Sequence, residues 1–136
     1  METANKLHTD NPILSIAESI KLEANRFKGK LPSAWNTLTN LQELMLSSNQ
    51  FSGTIPKELG ELQELTLLFM DGNQLKGSVP SQLGQLQVLQ QLQLDGNELT
   101  GEMPQEVCEL RDERLFRLES DCLGGTISCD CCSECF

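Results

Sequence analysis

The residues best suited to chemistry in this sequence are six cysteines, and all of them lie within the last 29 residues. They are Cys108, Cys122, Cys129, Cys131, Cys132 and Cys135. A cluster of thiolates can close a tetrahedral zinc site, but the C-x-C-C-x2-C spacing of the last four lacks paired C-x2-C knuckles and has no histidine nearby. We therefore predict disulfides that cross-link a terminal segment. Excluding a bond between the adjacent Cys131 and Cys132 leaves about twelve of the fifteen possible pairings open.

Catalytic chemistry has little support in the other reactive side chains. His8 is the only histidine and has no nucleophile near it in the sequence. Acidic residues are abundant, but nothing marks the closed, water-excluding pocket that general acid–base chemistry on a pair of carboxyls needs. We predict a protein that is not an enzyme and that binds no metal or cofactor.

The charge balance excludes two classes of partner. Ten lysines and arginines stand against twenty aspartates and glutamates, which gives a net charge of −10. Nucleic-acid binding needs a basic face, and an anionic lipid surface repels an acidic protein. No segment approaches the roughly 20 apolar residues of a membrane helix. Three disulfides would imply an oxidising compartment, so we predict an extracellular or membrane-tethered ectodomain, or alternatively the lumen of an organelle reached by export.

The elements that must position these residues follow a 24-residue repeat. Asn25, Asn49, Asn73 and Asn97 are spaced by 24, and each is followed four residues later by glycine and then by an aliphatic-proline pair. Leucines or other aliphatic residues occupy the fifth and third positions before each asparagine. We predict a partial repeat over 1–16, four repeats over 17–112, and an atypical last repeat with a cysteine-rich cap over 113–136. In that last repeat Asp121 takes the asparagine position, Gly125 the glycine position and Ile127 the aliphatic position; upstream, Met1, Leu7 and Leu14 keep half of the pattern.

One repeat predicts one coil of a solenoid. The segment L-x-x-L-x-L alternates apolar and polar residues at its end, which is typical of a short half-buried strand. The proline blocks helix continuation, so at most one helical turn follows. A single coil cannot bury its leucines, and successive coils must therefore stack. Trp35 takes an aliphatic position of the repeat and is expected in the core.

The segment LQELMLSSNQFSGTIPKELGELQEL resembles a plant-type leucine-rich repeat, with consensus LxxLxLxxNxLxGxIPxxLGxLxxL, and the match spans roughly residues 14–127. The resemblance implies an α/β solenoid: a right-handed superhelix of 24-residue repeats with a parallel β-sheet on its concave face. It also implies recognition of proteins, peptides or glycans, as in receptor-like ectodomains. The closing segment DCLGGTISCDCCSECF is similar to the cysteine-rich ends of such proteins in diatom-like algae.

The four phased asparagines predict a structural ladder. An amide side chain has both a donor and an acceptor, so it can satisfy backbone groups that a sharp turn points into the coil, away from water. Asp121 can only accept when ionised, which suits the last rung.

Function is expected on side chains that the repeat leaves free. Alternate strand residues face opposite sides of a sheet, so the neighbours of the inward leucines face the concave side. The predicted ligand-binding residues are Lys21, Glu23, Glu43, Met45, Leu67, Phe69, Asp71, Gln91, Gln93, Asp95 and Arg117. Ser19, Ser47, Leu115 and Glu119 are predicted on the same face. Met45, Leu67 and Phe69 form an apolar group, and Glu23, Asp71, Asp95 and Glu119 form an acidic column.

These features predict non-catalytic recognition of a protein or peptide that presents basic residues beside an apolar anchor. Three alternatives stay open. The acidic column can serve solubility alone. The chain can instead be a permanently docked accessory subunit of a larger assembly, held by its exposed N-terminal coil and acidic surfaces. The half repeat at the N-terminus fits either the C-terminal part of a longer array or a first coil that abuts a partner. Binding to a glycan or an ice-like surface through polar rows is a third reading, which Leu67 and Phe69 do not suit.

Overall fold

A computed structural model describes residues 16–112, 114–124 and 126–136 of the chain. The predictions made for Met1, Leu7, His8, Leu14 and Gly125 lie outside these residues. In chain order the strands are β1 (Ser19–Lys21), β2 (Lys28–Lys30), β3 (Glu43–Met45), β4 (Gln50–Gly53), β5 (Leu67–Phe69), β6 (Gln74–Gly77), β7 (Gln91–Gln93), β8 (Glu98–Leu99), β9 (Gly101–Glu102), β10 (Arg117–Ser120), β11 (Ile127–Ser128) and β12 (Glu134–Cys135).

The strands form stacked parallel sheets, which confirms the predicted leucine-rich-repeat solenoid. The largest sheet has the order β1-β3-β5-β7-β10-β12, and a second sheet has the order β2-β4-β6-β8. We number the coils 1 to 5 by the strands β1, β3, β5, β7 and β10. Leu44, Leu68 and Leu92 are paired with one another in register and are fully buried, as the alternation of the repeat predicts.

The return segment of each coil begins at its proline and contains one short helical turn. These turns are the 3-10 helices Ser33–Thr37, Lys57–Glu61 and Ser81–Gln85, then α1 (Gln105–Glu109), which continues as a 3-10 turn over Leu110–Asp112. Each buries one large side chain: Trp35, Leu59, Leu83 or Val107. Trp35 is 1% exposed, which confirms its place in the core.

Successive turns approach each other so closely that two glycines are required. A Cβ on Gly60 would lie 2.2 Å from the carbonyl oxygen of Gln82 in the next coil, and one on Gly84 would lie 2.5 Å from the Cβ of Glu106. The absence of side chains at these positions therefore sets the distance between coils 2, 3 and 4.

The asparagine side chains bridge neighbouring coils through the backbone. Nδ2 of Asn73 donates to the carbonyl oxygens of Met70 (3.1 Å) and Asp71 (3.2 Å) in its own coil and of Leu46 (3.0 Å) in the preceding coil. Its Oδ1 accepts from the N–H of Phe51 at 3.1 Å. Asn49 and Asn97 repeat this arrangement, so each amide satisfies backbone groups of two coils.

The last coil departs from the 24-residue register. Gln91 pairs with Arg117 and Leu92 with Leu118, so coil 5 begins 26 residues after coil 4. The prediction that Leu115 faces the concave side was wrong: Leu115 is fully buried. The extra residues lie in the connection, because α1 and the 3-10 turn after it are longer together than the single turns of the other coils.

The same two-residue shift changes the position of the last acidic residues relative to the repeat. Asp121 does not repeat the amide contacts of the asparagines. Its two carboxylate oxygens accept from the N–H groups of Gly96 (2.9 Å) and Asn97 (3.0 Å) instead. Ile127 is buried, but it pairs with Gly101 rather than aligning with the aliphatic Met103.

Three disulfides tie down the C-terminal segment, as predicted in general terms. Cys108 is bonded to Cys131, Cys122 to Cys135 and Cys129 to Cys132. Two of these bonds connect the tail to the body, since Cys108 belongs to α1 and Cys122 follows β10. The tail also adds β12 to the edge of the large sheet and pairs β11 with β9. It thus covers the C-terminal end of the stack.

Candidate ligand-binding face

The outward face of the six-stranded sheet, here called the concave face, presents two rows of side chains across the coils. The first row is Ser19, Glu43, Leu67, Gln91 and Arg117, and the second is Lys21, Met45, Phe69, Gln93 and Glu119. Two residues further along each coil, at the carboxyl ends of the strands, lie Glu23, Ser47, Asp71, Asp95 and Asp121. All the predicted ligand-binding residues therefore belong to one continuous surface.

The centre of this surface is apolar. Met45 and Phe69 are direct neighbours in the second row, and Leu67 lies two residues before Phe69 on the same strand face. All three are partly exposed, whereas the leucines and methionine between them point inward and are buried. An apolar group of this kind on an otherwise acidic surface is a candidate contact site.

An acidic group lies beside the apolar centre. It consists of Asp71, Asp95, Asp121 and Glu119, the last of which stands next to Gln93 in the second row rather than in the column of Asp95. Glu119 is 3% exposed and forms an ion pair with Nε of Arg117 at 2.6 Å. Glu23, which was predicted in the same column, lies at the other end of the face, in coil 1.

The carboxylates of the acidic group differ in the hydrogen bonds that they accept. Asp71 accepts a hydrogen bond from Oγ of Ser47 at 2.5 Å, and Asp121 accepts its two backbone bonds. In contrast, Oδ1 of Asp95 is buried and has no hydrogen-bond partner among the described residues. Burial, followed by the nearby charges of Asp71, Glu119 and Asp121, raises the pKa of Asp95 above its ordinary value. A positively charged group of a ligand would stabilise the ionised form of this carboxylate.

The raised pKa of Asp95 predicts a stability change. Because its folded-state pKa lies above the unfolded value, the ionised carboxylate destabilises the fold at neutral pH, and this cost diminishes as the pH falls through the folded-state pKa. We expect Asp95→Asn to raise the Tm by about 2 °C at neutral pH, a small gain because solvent screens a partly exposed group. Thermal unfolding followed by circular dichroism at neutral pH and near pH 3 tests this expectation.

The matched control is Asp71→Asn, which removes the same charge but weakens the hydrogen bond from Ser47. The Tm difference between Asp95→Asn and the unaltered protein should vanish at the acidic pH, where both states hold a protonated Asp95. An equal gain from both substitutions at neutral pH would assign the effect to net charge alone.

At the N-terminal end of the concave face, Lys21 and Glu43 neutralise each other. Nζ of Lys21 lies 2.7 Å from Oε2 of Glu43, which also accepts from Oγ of Ser19 at 2.9 Å. The hydrogen bond and charge of Glu43 raise the pKa of Lys21, and the bonds from Lys21 and Ser19 lower the pKa of Glu43. This end of the face therefore carries one ion pair and the exposed Glu23, whereas Asp71, Asp95 and Asp121 place a larger negative charge around coils 3 to 5.

Sequence reasoning missed Phe116. Its side chain is 62% exposed, and its N–H donates to the carbonyl oxygen of Gln90 at 3.1 Å, so it is an exposed aromatic residue just before β10. The 24-residue register placed Leu115 outward in its stead. The length of the connection before β10 corrects the register, but it is visible in the structure and not in the hydrophobic spacing of the sequence.

The described residues contain no group of histidine, cysteine or acidic side chains arranged to hold a metal ion. Within the same residues, no helix has the length and apolar character needed to cross a membrane.

Comparisons with known proteins agree with this architecture. Two family profiles match the chain, one described as "Leucine rich repeat" over residues 17–75 and one as "Leucine Rich Repeat" over residues 88–110. None of the curated proteins matches it.

Several solved structures are similar to the chain. The plant peptide hormone receptor RGFR1, in complex with RGF2, is 32% identical with a TM-score of 0.72, and the match covers 76% of this chain and 17% of the receptor. The ectodomain of the Arabidopsis thaliana receptor kinase GASSHO1/SCHENGEN3, in complex with CASPARIAN STRIP INTEGRITY FACTOR 2, is 38% identical with a TM-score of 0.69 and coverages of 80% and 12%. A plant ice-binding protein is 29% identical with a TM-score of 0.69 and coverages of 82% and 34%. The chain thus spans less than a fifth of the length of the two receptors.

Proposed function

Because the chain belongs to the leucine-rich repeat family, we propose that it is a non-catalytic recognition module that binds a protein or peptide through its concave face. The observation that carries the proposal is the juxtaposition of the apolar Met45, Leu67 and Phe69 with the unpartnered carboxylate oxygen of Asp95. Both features are unfavourable for an isolated protein, since one exposes apolar area and the other buries a charge without a partner. A ligand that covers the first and neutralises the second would offset both costs.

The chemistry of the face defines the partner. An aliphatic or aromatic side chain would pack on Phe69 and its neighbours, and a lysine or arginine next to it would reach the acidic group. The similar structures include a plant peptide hormone receptor in complex with RGF2, which supports a peptide as the ligand. Together with the disulfides, they support a secreted protein or a receptor-like ectodomain outside the cell.

One of the similar structures is an ice-binding protein, but the concave face of this chain fits ice binding less well than it fits peptide recognition. Ice-like surfaces call for regular polar rows, and here Met45, Leu67 and Phe69 interrupt both rows at their centre. We therefore retain peptide or protein recognition.

The direct test is the double substitution Leu67→Ser with Phe69→Ala. Peptides selected on the unaltered protein from a random display library should be enriched in Lys or Arg beside an apolar residue. We expect the double variant to bind them at least about tenfold more weakly, because it removes the apolar anchor site while leaving the buried leucines in place. Titration calorimetry gives the affinities, and circular dichroism checks the fold.

Two further variants sharpen the result. Gln74→Ser lies on β6 of the second sheet, outside the concave face, and it should retain the affinity. Asp95→Asn should weaken binding of the basic peptides even though it stabilises the free protein, which is the behaviour expected of a residue kept for binding. Undiminished affinity of the folded double variant would contradict the proposal.

One observation favours the docked-subunit alternative. Ile20, Leu22 and Phe27 of coil 1 are only partly buried, whereas their equivalents Leu44, Leu46 and Phe51 in coil 2 are completely buried. This end could pack against another protein, in which case the protein would co-purify stoichiometrically with a partner from native material. Cross-linking of such a complex distinguishes the two functions, because contacts would map to coil 1 rather than to the concave face.

A further inference from the structure

One of the three disulfides does not connect the tail to the body of the protein. Cys129 and Cys132 both belong to the tail, at the two ends of a turn over Asp130 and Cys131. The entropy that a cross-link removes from the unfolded chain decreases as the closed loop becomes shorter. We therefore expect this bond to contribute least of the three to the stability of the fold.

The short disulfide lies in contact with a second one. Sγ of Cys129 is 3.9 Å from Sγ of Cys131, which is bonded to Cys108 on α1. Neither sulfur carries a hydrogen, so the contact is not a hydrogen bond. It does place one disulfide beside a sulfur that becomes a nucleophile if the other disulfide is reduced, and thiol–disulfide exchange proceeds by such an attack.

Both disulfides are accessible from a groove beside α1. Cys108, Cys131 and Cys132 line this groove, which has a volume of about 570 Å³, and all three are partly exposed. The charged residues that line it are one arginine and three acidic residues: Arg111, Glu109, Asp112 and Asp130. A neutral thiol can therefore reach the sulfurs, whereas the excess of negative charge would repel an anionic one.

A buried hydroxyl group favours Cys132 as a leaving group. Ser120 is fully buried, and its Oγ lies 3.3 Å from Sγ of Cys132 and 3.6 Å from Sγ of Cys122. The hydroxyl is the donor in both contacts, since a disulfide sulfur has no hydrogen to give. The bond to Cys132 becomes stronger when that sulfur is a thiolate, because the acceptor is then charged.

We propose that these contacts form a thiol–disulfide exchange site that releases the tail from α1 when a dithiol reductant enters the groove. The site is independent of ligand recognition on the concave face. One thiolate of the reductant attacks Sγ of Cys108, breaks the Cys108–Cys131 bond and frees Cys131 as a thiolate. The second thiol of the reductant then displaces Cys108 as a thiol, and the reductant leaves as a cyclic disulfide.

The freed Cys131 thiolate completes the exchange. It attacks Sγ of Cys129, forms a Cys129–Cys131 bond and expels Cys132, whose thiolate accepts the hydrogen bond from Ser120 and then takes up a proton. The two electrons of the reductant thus end on the thiols of Cys108 and Cys132. Because Cys131 is now bonded within the tail, it cannot rejoin Cys108.

The remaining Cys122–Cys135 bond makes the release one-sided. It holds the tail beside β10, where β12 is paired with the large sheet. On the other side β11 is paired with β9, and the N–H of Met103 donates to the carbonyl oxygen of Ser128 at 2.8 Å. Since β11 ends directly before Cys129, loss of the bond to α1 should loosen the β9–β11 pair first.

Limited reduction followed by alkylation tests the exchange. The oxidised protein is treated at neutral pH with one molar equivalent of dithiothreitol, a neutral dithiol, and free thiols are trapped with N-ethylmaleimide. Tandem mass spectrometry of the proteolysed chain locates the labels. We expect doubly labelled protein to carry them on Cys108 and Cys132 about tenfold more often than on any other pair.

Ser120→Ala tests the role of the hydroxyl group. The share of doubly labelled protein with a label on Cys132 should fall about fivefold, because the expelled thiolate loses its donor. Ser133→Ala is the matched control, since this hydroxyl is next to Cys132 in the sequence but is bonded to the backbone of Leu118. It should leave the distribution of labels unchanged, and an equal change in both variants would contradict the role of Ser120.

Hydrogen exchange of the labelled protein tests the release of the tail. The amides of β11 and Met103 should exchange at least about tenfold faster than in the oxidised protein, whereas those of β12 should be little changed. The alkylation pattern of Leu67→Ser with Phe69→Ala should match that of the unaltered protein. Failure of this inference and failure of the peptide proposal are therefore separable.

Several outcomes would overturn the inference. Labels on Cys108 with Cys131 would mean direct reduction without exchange, and labels on Cys129 with Cys132 would leave the short bond as a cross-link of the turn alone. Labelling at any other pair, no labelling, or unchanged hydrogen exchange in β11 would contradict it equally.

Discussion

Gly60→Ala is expected to destabilise the protein by about 3 kcal/mol or more, although it adds a single methyl group. The new Cβ would overlap the carbonyl oxygen of Gln82, at 2.2 Å. Neither atom belongs to a flexible side chain, so coils 2 and 3 must move apart, and the leucine contacts between them loosen together. Urea unfolding followed by circular dichroism measures the change in the free energy of unfolding.

The matched control lies in the same repeat position of coil 1. Asn36 stands where coils 2 and 3 have Gly60 and Gly84, and its side chain is hydrogen-bonded to Glu61 at 2.8 Å on the surface. We expect Asn36→Ala to cost well under about 1 kcal/mol, since an exposed side-chain hydrogen bond contributes little. Equal effects of the two substitutions would show that the close approach at Gly60 does not set the coil spacing.

Asn73→Ala is expected to cost about 3 kcal/mol, the upper part of the range for buried polar groups that lose their partners. The substitution removes three donor contacts to carbonyl oxygens and one acceptor contact to the N–H of Phe51. Water cannot easily replace them because the residue is buried between two coils. The free energy of unfolding from urea denaturation again measures the loss.

Asn25 provides the comparison for Asn73. It holds the same position in coil 1, but it is exposed, and among the described residues its Nδ2 donates to the carbonyl oxygens of Leu22 and Glu23, both in its own coil. Asn25→Ala should therefore cost less than about 1 kcal/mol. If Asn25→Ala and Asn73→Ala were equally destabilising, the asparagines would act as local turn residues and their bonds between coils would contribute nothing.

Much of the fold follows from the repeat alone because the same physical requirement recurs every 24 residues. Leu44, Leu68 and Leu92 must be buried together, and a parallel stack of coils is the arrangement that buries them without leaving Asn49 and Asn73 unsatisfied. The outward positions of Met45 and Phe69 then follow from strand alternation. These inferences need no knowledge of distances between side chains.

The sequence could not predict the register at the end of the repeat or the pairing of individual side chains. The position of Leu115 depended on the length of the connection formed by α1 and the following turn, and hydrophobic spacing does not report that length. Cys131 pairs with Cys108 rather than with a nearer cysteine because the folded coils bring those two together. The lack of a partner for Oδ1 of Asp95 also depends on rotamers and on neighbouring coils. The face was thus predictable from the sequence, whereas its electrostatics was not.

The disulfide-bonded cap affects the order in which the coils unfold. In a stacked array each coil is held only by its neighbours, so opening proceeds from an end. Here all three cross-links belong to the C-terminal side, whereas Ile20 and Leu22 of coil 1 are incompletely covered. Within the described coils, we therefore expect thermal fraying to advance from coil 1 toward the cross-linked end, which can remain as a template for refolding. We expect the proposed binding face to lose coil 1 first and to keep its acidic group longest.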